Sequence, residues 1–307
     1  MFLGALLAFA SCTKSTSSLD LPAPTTGRAF YAFARDDVRF LELMRRYPGE
    51  DPWRVVLKRD DSGWKIESAP APVLDRLADG TFVDHWLDTL RTLTPFERAR
   101  EGAAKSFGLD PPRAVLKFGA SSGPGLTLEI GDESQTGIRF ARFAPETAVM
   151  LTEGAAIQML GMIQDWQSLR KRTWLTGSLD DVDVIRSGKR AYERQGLAWK
   201  AAAGRSSAAD LPARLENLFH QRIKRFVDTT EETARLDERA RGSKPIEITL
   251  LDRRDRPQTL QILAADDGIY GRNSTRPGTW AELHPEILQT LSFLIQSEST
   301  ATKLGTK

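Results

Sequence analysis

The sequence predicts an α+β fold: a tandem duplication of an antiparallel-sheet unit, with one long helix packed on a face and a second short helix closing it. Three observations lead there. Apolar and polar residues alternate over short runs bounded by turn residues, the period-two mark of strands with one buried and one wet face. Between these runs stand stretches whose apolar residues recur three and four apart, the spacing of one helix face. The same order of elements then returns about 131 to 135 residues later, as when Trp64-Lys65 reappears as Trp199-Lys200.

Size and charge bound the problem further. A chain of 307 residues makes one large domain or two ordinary ones, and 40% hydrophobic with 27% charged residues is a globular composition. A formal net charge of +2 is too small for a chain whose main work is clamping phosphate backbones, so no nucleic acid is expected as a partner. One cysteine excludes an intramolecular disulfide, and three histidines leave little material for zinc. No metal and no cofactor is expected.

The chain opens with Met1 to Ala10, an apolar run. It is shorter than the ~20 residues a membrane helix needs but within the roughly 7–15 of a signal-peptide core. Residues 1–11 are therefore expected to be a signal peptide. Ala10-Ser11 precede Cys12, and a stretch rich in Ser, Thr and Pro follows. This resembles the lipobox of bacterial lipoproteins, with Phe9 where leucine is usual and no Lys or Arg before the apolar run. The resemblance implies lipidation of the Cys12 thiol and a membrane anchor, with residues 12–27 as a flexible tether reaching roughly 20 Å. Thr13, rather than aspartate, after the cysteine favours the outer membrane by the enteric sorting habit.

The first repeat, residues 28–175, begins with alternating Val38 and Phe40, then the strand Val55-Val56-Leu57, and the hairpin Asp60 to Gly63 into Trp64-Lys65-Ile66. A helix capped by Thr81 follows, with Phe82, Trp86, Leu90 and Leu93 on its face. Ala114, Leu116 and Phe118 pair with Leu126, Leu128 and Ile130; Ile138 to Phe143 adds a strand, and a short helix starts near Gly154. The second repeat, residues 176–295, follows the same order. Val182, Val184-Ile185 and Ala191 to Gln195 are strands, and Leu215, Phe219, Ile223 and Phe226 mark one long helix. Ile246, Ile248, Leu250 pair with Leu260, Ile262, and a last helix starts near His284. Residues 296–307 read as a disordered tail.

The run Phe107-Gly108-Leu109-Asp110-Pro111-Pro112, with Trp64 after its hairpin, Leu128-Glu129-Ile130-Gly131 and Leu169 to Leu175, resembles the bacterial family called domain of unknown function 4340. The second repeat reads Arg241-Gly242-Ser243-Lys244-Pro245 where the first has the Gly-Leu-Asp-Pro-Pro run. The resemblance implies an envelope protein beside ABC-type exporter or motility-related systems. It implies no catalytic residue.

Other motifs are weighed on their chemistry. Gly119-Ala120-Ser121-Ser122-Gly123 fits G-x-S-x-G, yet a nucleophile elbow joins a strand to a helix, and here a second strand is expected. His85 and His220 stand on helices away from the apolar stripe, read as solvated rather than as bases. Asp180, Asp181 and Asp183 lack the glycine and distal glutamate of a calcium loop. Arg170-Lys171-Arg172 and Arg222, Lys224, Arg225 read as solvated faces, with anionic headgroups as the alternative. Trp64, Trp86 and Trp199 occupy repeated apolar positions and read as core. The expectation is thus a non-catalytic, lipid-anchored accessory or scaffold with an envelope-protein partner; the alternatives are a hydrolase acting on envelope polymers and a glycan or small-ligand binding module.

Overall fold

A computed structural model describes residues 33–295, apart from 94, 99–102, 121–124, 136, 146, 197, 203–210 and 277–278, and apart from the side chains of 95–98, 293 and 295. Cys12, the expected signal peptide and tether, Ser121 and the expected tail lie outside the described residues.

The first unit runs β1 (Phe40–Arg45), β2 (Trp53–Asp60), β3 (Gly63–Ser68), α1 (Gly80–Arg91), β4 (Pro95–Arg98), β5 (Ala114–Gly119), β6 (Leu126–Gln135), β7 (Ile138–Ala144), β8 (Met150–Thr152) and α2 (Ala155–Met162). The second runs β9 (Val182–Ser187), β10 (Arg190–Gln195), β11 (Ala198–Ala201), α3 (Leu211–Phe219), β12 (Ile223–Phe226), α4 (Thr230–Gly242), β13 (Ile246–Asp252), β14 (Pro257–Ala265), β15 (Gly268–Asn273), β16 (Trp280–Leu283) and α5 (Glu286–Ile295). The first eight strands form one sheet in the order β3-β2-β1-β5-β6-β7-β8-β4, and the second eight form another in the same order with each number raised by eight. Every neighbouring pair is antiparallel.

The fold class differs from the α+β expectation. The molecule is mostly antiparallel sheet, and among the described residues its helices are short, the longest having 13 residues. The long helix expected through Phe226 stops at Phe219, and Ile223 to Phe226 is strand β12. A register shift between Ile223 and Arg225 explains the misreading. A bulge adds one residue to the strand, so Ile223 and Phe226, three apart, both turn inward and imitate helical spacing. The first long helix is likewise only 12 residues. Its cap is Asp79 rather than Thr81, the Asp79 carboxylate accepting the Phe82 N–H at 3.1 Å.

Each sheet carries a core on one face. In the first, Val83, Trp86, Leu87 and Leu90 of α1 meet Leu41 and Leu43 of β1, Leu116 and Phe118 of β5, and Ile157 and Leu160 of α2. In the second, Leu215 and Leu218 of α3 and Ile287, Leu291 and Leu294 of α5 meet Ile185, Ile248, Leu250 and Leu260. The sequence alternates most clearly in strands of which only one face is covered. On the opposite face of the second sheet, α4 lays Leu236 against Leu263, Tyr270 and Trp280. Among the described residues no helix is long and apolar enough to cross a membrane.

The two runs that carry the family resemblance touch. Gly108 closes the 3-10 turn Ala104–Phe107 with φ 65°, which a side chain would strain. Gly131 approaches so closely that a Cβ there would lie 2.0 Å from the Phe107 carbonyl oxygen. Beside them Arg113 holds Asp132, Nε to Oδ1 at 2.6 Å.

Candidate functional site

The basic run Arg170-Lys171-Arg172 is where the structure departs furthest from the sequence reading. It is not a solvated face but the joint between the two units. The first core ends at Leu169 and the second begins at Trp174. Between them the chain is stitched on both sides. Ala78 N–H donates to the Trp64 carbonyl at 3.1 Å, and Lys171 N–H to that of Leu77 at 3.0 Å. Ile223 N–H donates to the Arg172 carbonyl at 2.7 Å, and Trp174 N–H to that of Gln221 at 2.9 Å. Isolated bridges Lys65↔Leu77, Ala78↔Arg170 and Thr173↔Arg222 continue the same path. Backbone pairing therefore passes from β3, through 77–78 and 170–173, to the start of β12.

Two arginines are buried in this joint. The Arg170 side chain is fully buried, bonds both carboxylate oxygens of Asp228 and donates to the Asp75 carbonyl at 3.1 Å. Its guanidinium carbon lies 3.5 Å from the centre of the Phe226 ring, a stacked cation–π contact. Arg276, from the loop before β16, pairs with the Asp75 carboxylate and donates to the carbonyls of Lys171 at 2.9 Å and Thr173 at 2.5 Å. Asp228 also accepts the Leu74 N–H at 3.2 Å. Burial lowers the Arg276 pKa; Asp75 opposes that shift and Arg170 reinforces it. Burial likewise lowers the Lys171 ammonium, with Arg276 adding to the effect. Planar forks suit this place because each can satisfy carboxylate and carbonyl oxygens together.

The second feature is a cleft of about 680 Å³ at the β13–β14 hairpin, lined by Thr176 to Ser178, by Thr275 and by Arg253, Arg254 and Arg256. Asp252 organises the hairpin, accepting the N–H groups of Arg254 at 2.8 Å and Arg256 at 2.9 Å and the Arg256 Nε–H at 2.7 Å. Those bonds, the Arg256 N–H first, hold its pKa down to about 2. Arg253 donates to the Asp180 carbonyl at 3.0 Å. Thr176 and Thr275 hydroxyls meet at 3.0 Å, and Asn273 fastens this wall by donating to the Trp174 carbonyl at 2.9 Å.

The weighed catalytic residues do not converge. His85 is exposed on α1 and His220 is exposed in the turn just after α3, in different units, His220 Nδ1 lying 2.8 Å from the Glu216 carbonyl. The element after β5 is the strand β6, paired with it antiparallel with Phe118 opposite Leu126, and not a helix. Asp180 pairs with Arg194 at 2.8 Å, while Asp181 belongs to the capping box of Ser178. Among the described residues no group of three or more His, Cys, Asp or Glu could hold a metal ion. Lys224 and Arg225 pair with Glu282, and Arg225 also with Glu232. Trp64, Trp86 and Trp199 are buried, as are Trp166, Trp174 and Trp280.

Sequence reasoning missed Asp75, Asp228 and Arg276. Their partners lie 58 and 201 positions away, and no periodicity links them. The hairpin charges were visible in sequence; the cleft was not.

Neither curated proteins nor solved structures provide a match to this chain. A family model does match, over residues 64–239, which spans β3 through most of α4 and includes both runs that meet at Gly108 and Gly131. That match covers more than half the chain, and the protein belongs to the DUF4340 family, a domain of unknown function.

Proposed function

We propose that this is an exported envelope protein, lipid-anchored through Cys12, acting as a non-catalytic accessory or scaffold for an envelope-protein partner such as a component of an ABC-type exporter or motility-related system. The observation that carries the scaffold reading is the joint. A flexible linker would let two units swing independently, whereas backbone pairing and two buried arginines tie them. A stiff two-sheet body at the end of a tether suits holding a partner at a set distance from a bilayer. The anchor rests on the sequence Ala10-Ser11-Cys12 and the polar stretch after it.

The test is palmitate labelling and membrane fractionation of wild type and Cys12→Ala, followed by crosslinking in intact envelopes. The expected result is label and salt-resistant membrane association in the wild type alone, with crosslinks to an exporter or motility component. Equal membrane association of Cys12→Ala without label in either protein would end the anchor reading.

A further inference from the structure

The β13–β14 hairpin carries Asp252-Arg253-Arg254-Asp255-Arg256, while the corresponding loop of the first unit, Gly119 to Gly125, has no charged residue. Two strands in the same sheet position are thus joined by an uncharged segment in one unit and by three arginines and two aspartates in the other. The hairpin needs Asp252 and Arg256, which bond one another and the turn backbone. It does not need the other two arginines. Arg254 is exposed, and its side chain has no hydrogen bond or ion pair among the described residues. The Arg253 side chain gives one N–H to a neutral carbonyl and has no ion pair among the described residues. Asp181, also on the cleft wall, accepts from the Ser178 N–H.

We propose that this cleft binds a phosphate group, carried either by a small soluble phosphate or by a phospholipid headgroup. Its size falls within the roughly 300–1,000 Å³ of small-ligand sites. Two guanidinium forks with free N–H groups present the donor geometry that phosphate oxygens accept. The Thr176 and Thr275 hydroxyls in the lining already donate along a chain of bonds, Thr176 to Thr275 and Thr275 to Asn273, and leave the ligand to the arginines. Arg256 is already paired with Asp252, Nε to Oδ2 at 2.7 Å, so the ligand meets Arg253 and Arg254.

The test is calorimetric titration of the full chain with inorganic phosphate, with glycerophosphoglycerol as the soluble headgroup of an anionic lipid, and with acetate. Wild type, Arg254→Ala, Arg253→Ala/Arg254→Ala and Lys189→Ala are compared, Lys189 being exposed in the distant β9–β10 turn. Arg254→Ala removes no internal contact, so it reads binding rather than folding. Losing one charge-assisted contact should weaken phosphate binding about tenfold in Arg254→Ala, further in the double variant and not at all in Lys189→Ala. Tighter binding of glycerophosphoglycerol identifies a headgroup, and tighter binding of inorganic phosphate a soluble ligand. The proposal is overturned if neither phosphate probe binds, if Arg254→Ala binds as wild type does, or if acetate binds as tightly as phosphate.

Discussion

Arg276 and Asp75 form an ion pair across 201 positions of the chain, with side chains only 2% and 5% exposed. Asp75 lies before α1 and Arg276 before β16, so this contact exists only when both units are folded. A charge buried this deeply is tolerable because Nη1 is paired with a carboxylate and Nη2 meets two carbonyls, which offsets a buried Nε that has no partner among the described residues. The same joint sets Arg170 between Asp228 and the Phe226 ring.

Breaking the pair should be expensive. Asp75→Ala leaves Arg276 buried without its counter-charge and is expected to cost about 3–5 kcal/mol in urea unfolding. The double variant Asp75→Ala/Arg276→Met should cost less than the sum of its single changes, since no lone charge remains. Additive losses would mean the two side chains do not interact.

Three glycines separate steric from conformational roles. Gly131→Ala drives a Cβ into the Phe107 carbonyl, and Gly271→Ala drives one to 2.5 Å from Leu283 and 2.6 Å from Trp174. Each should destabilise by about 1–3 kcal/mol or more. Gly161 sits in α2 with open space around its Cβ position, so Gly161→Ala should stabilise by about 0.5–1 kcal/mol. Thermal melts of the three variants check the order.

Leu87 and Leu215 are fully buried on α1 and α3, the helices that follow the third strand of each unit. Truncating either to alanine is expected to remove about 2–5 kcal/mol. A loss below 1 kcal/mol at either position, measured by denaturant titration, would contradict the packing described for that unit, as large-to-small core changes rarely cost about that little.

α4 depends on its first turn. Thr229 accepts the Glu232 N–H, and only Leu236 is buried along the helix. With so little packing to hold it, Thr229→Ala should cost about 1 kcal/mol. Amide hydrogen exchange across 230–242 would register it as faster exchange.

The Asp252 carboxyl sets the acid limit of the hairpin. Its folded pKa, about 2, is below the ordinary 3.8. Its stabilisation is therefore fully present above the ordinary value and is lost as pH falls through about 2. An NMR titration of the Asp252 side chain should give a midpoint near 2, and Arg256→Ala should raise it towards 3.8.

Much of the sheet was legible. Ala114, Leu116 and Phe118 alternate because β5 has one covered face, and the Asp60 to Gly63 turn announces the β2–β3 hairpin. α4 had a readable start in Thr229-Thr230-Glu231-Glu232, a cap followed three residues later by glutamate. It was missed because a helix burying one leucine leaves no apolar period. The helix expected through Ile223 and Phe226 failed for the converse reason: a strand bulge produced helical spacing.

Sequence alone determined what depends on neighbours in the chain: strand alternation, the turns, and the recurrence of one order of elements in two halves. Tertiary structure decided the rest. It placed Arg170 inside rather than at the surface, chose Asp228 and Asp75 as partners for Arg170 and Arg276, and joined the first sheet to the second through residues 170–173. Local preference sets an element, but whether a charge meets water or a carboxylate depends on which distant segment folds over it, and that choice is made by packing.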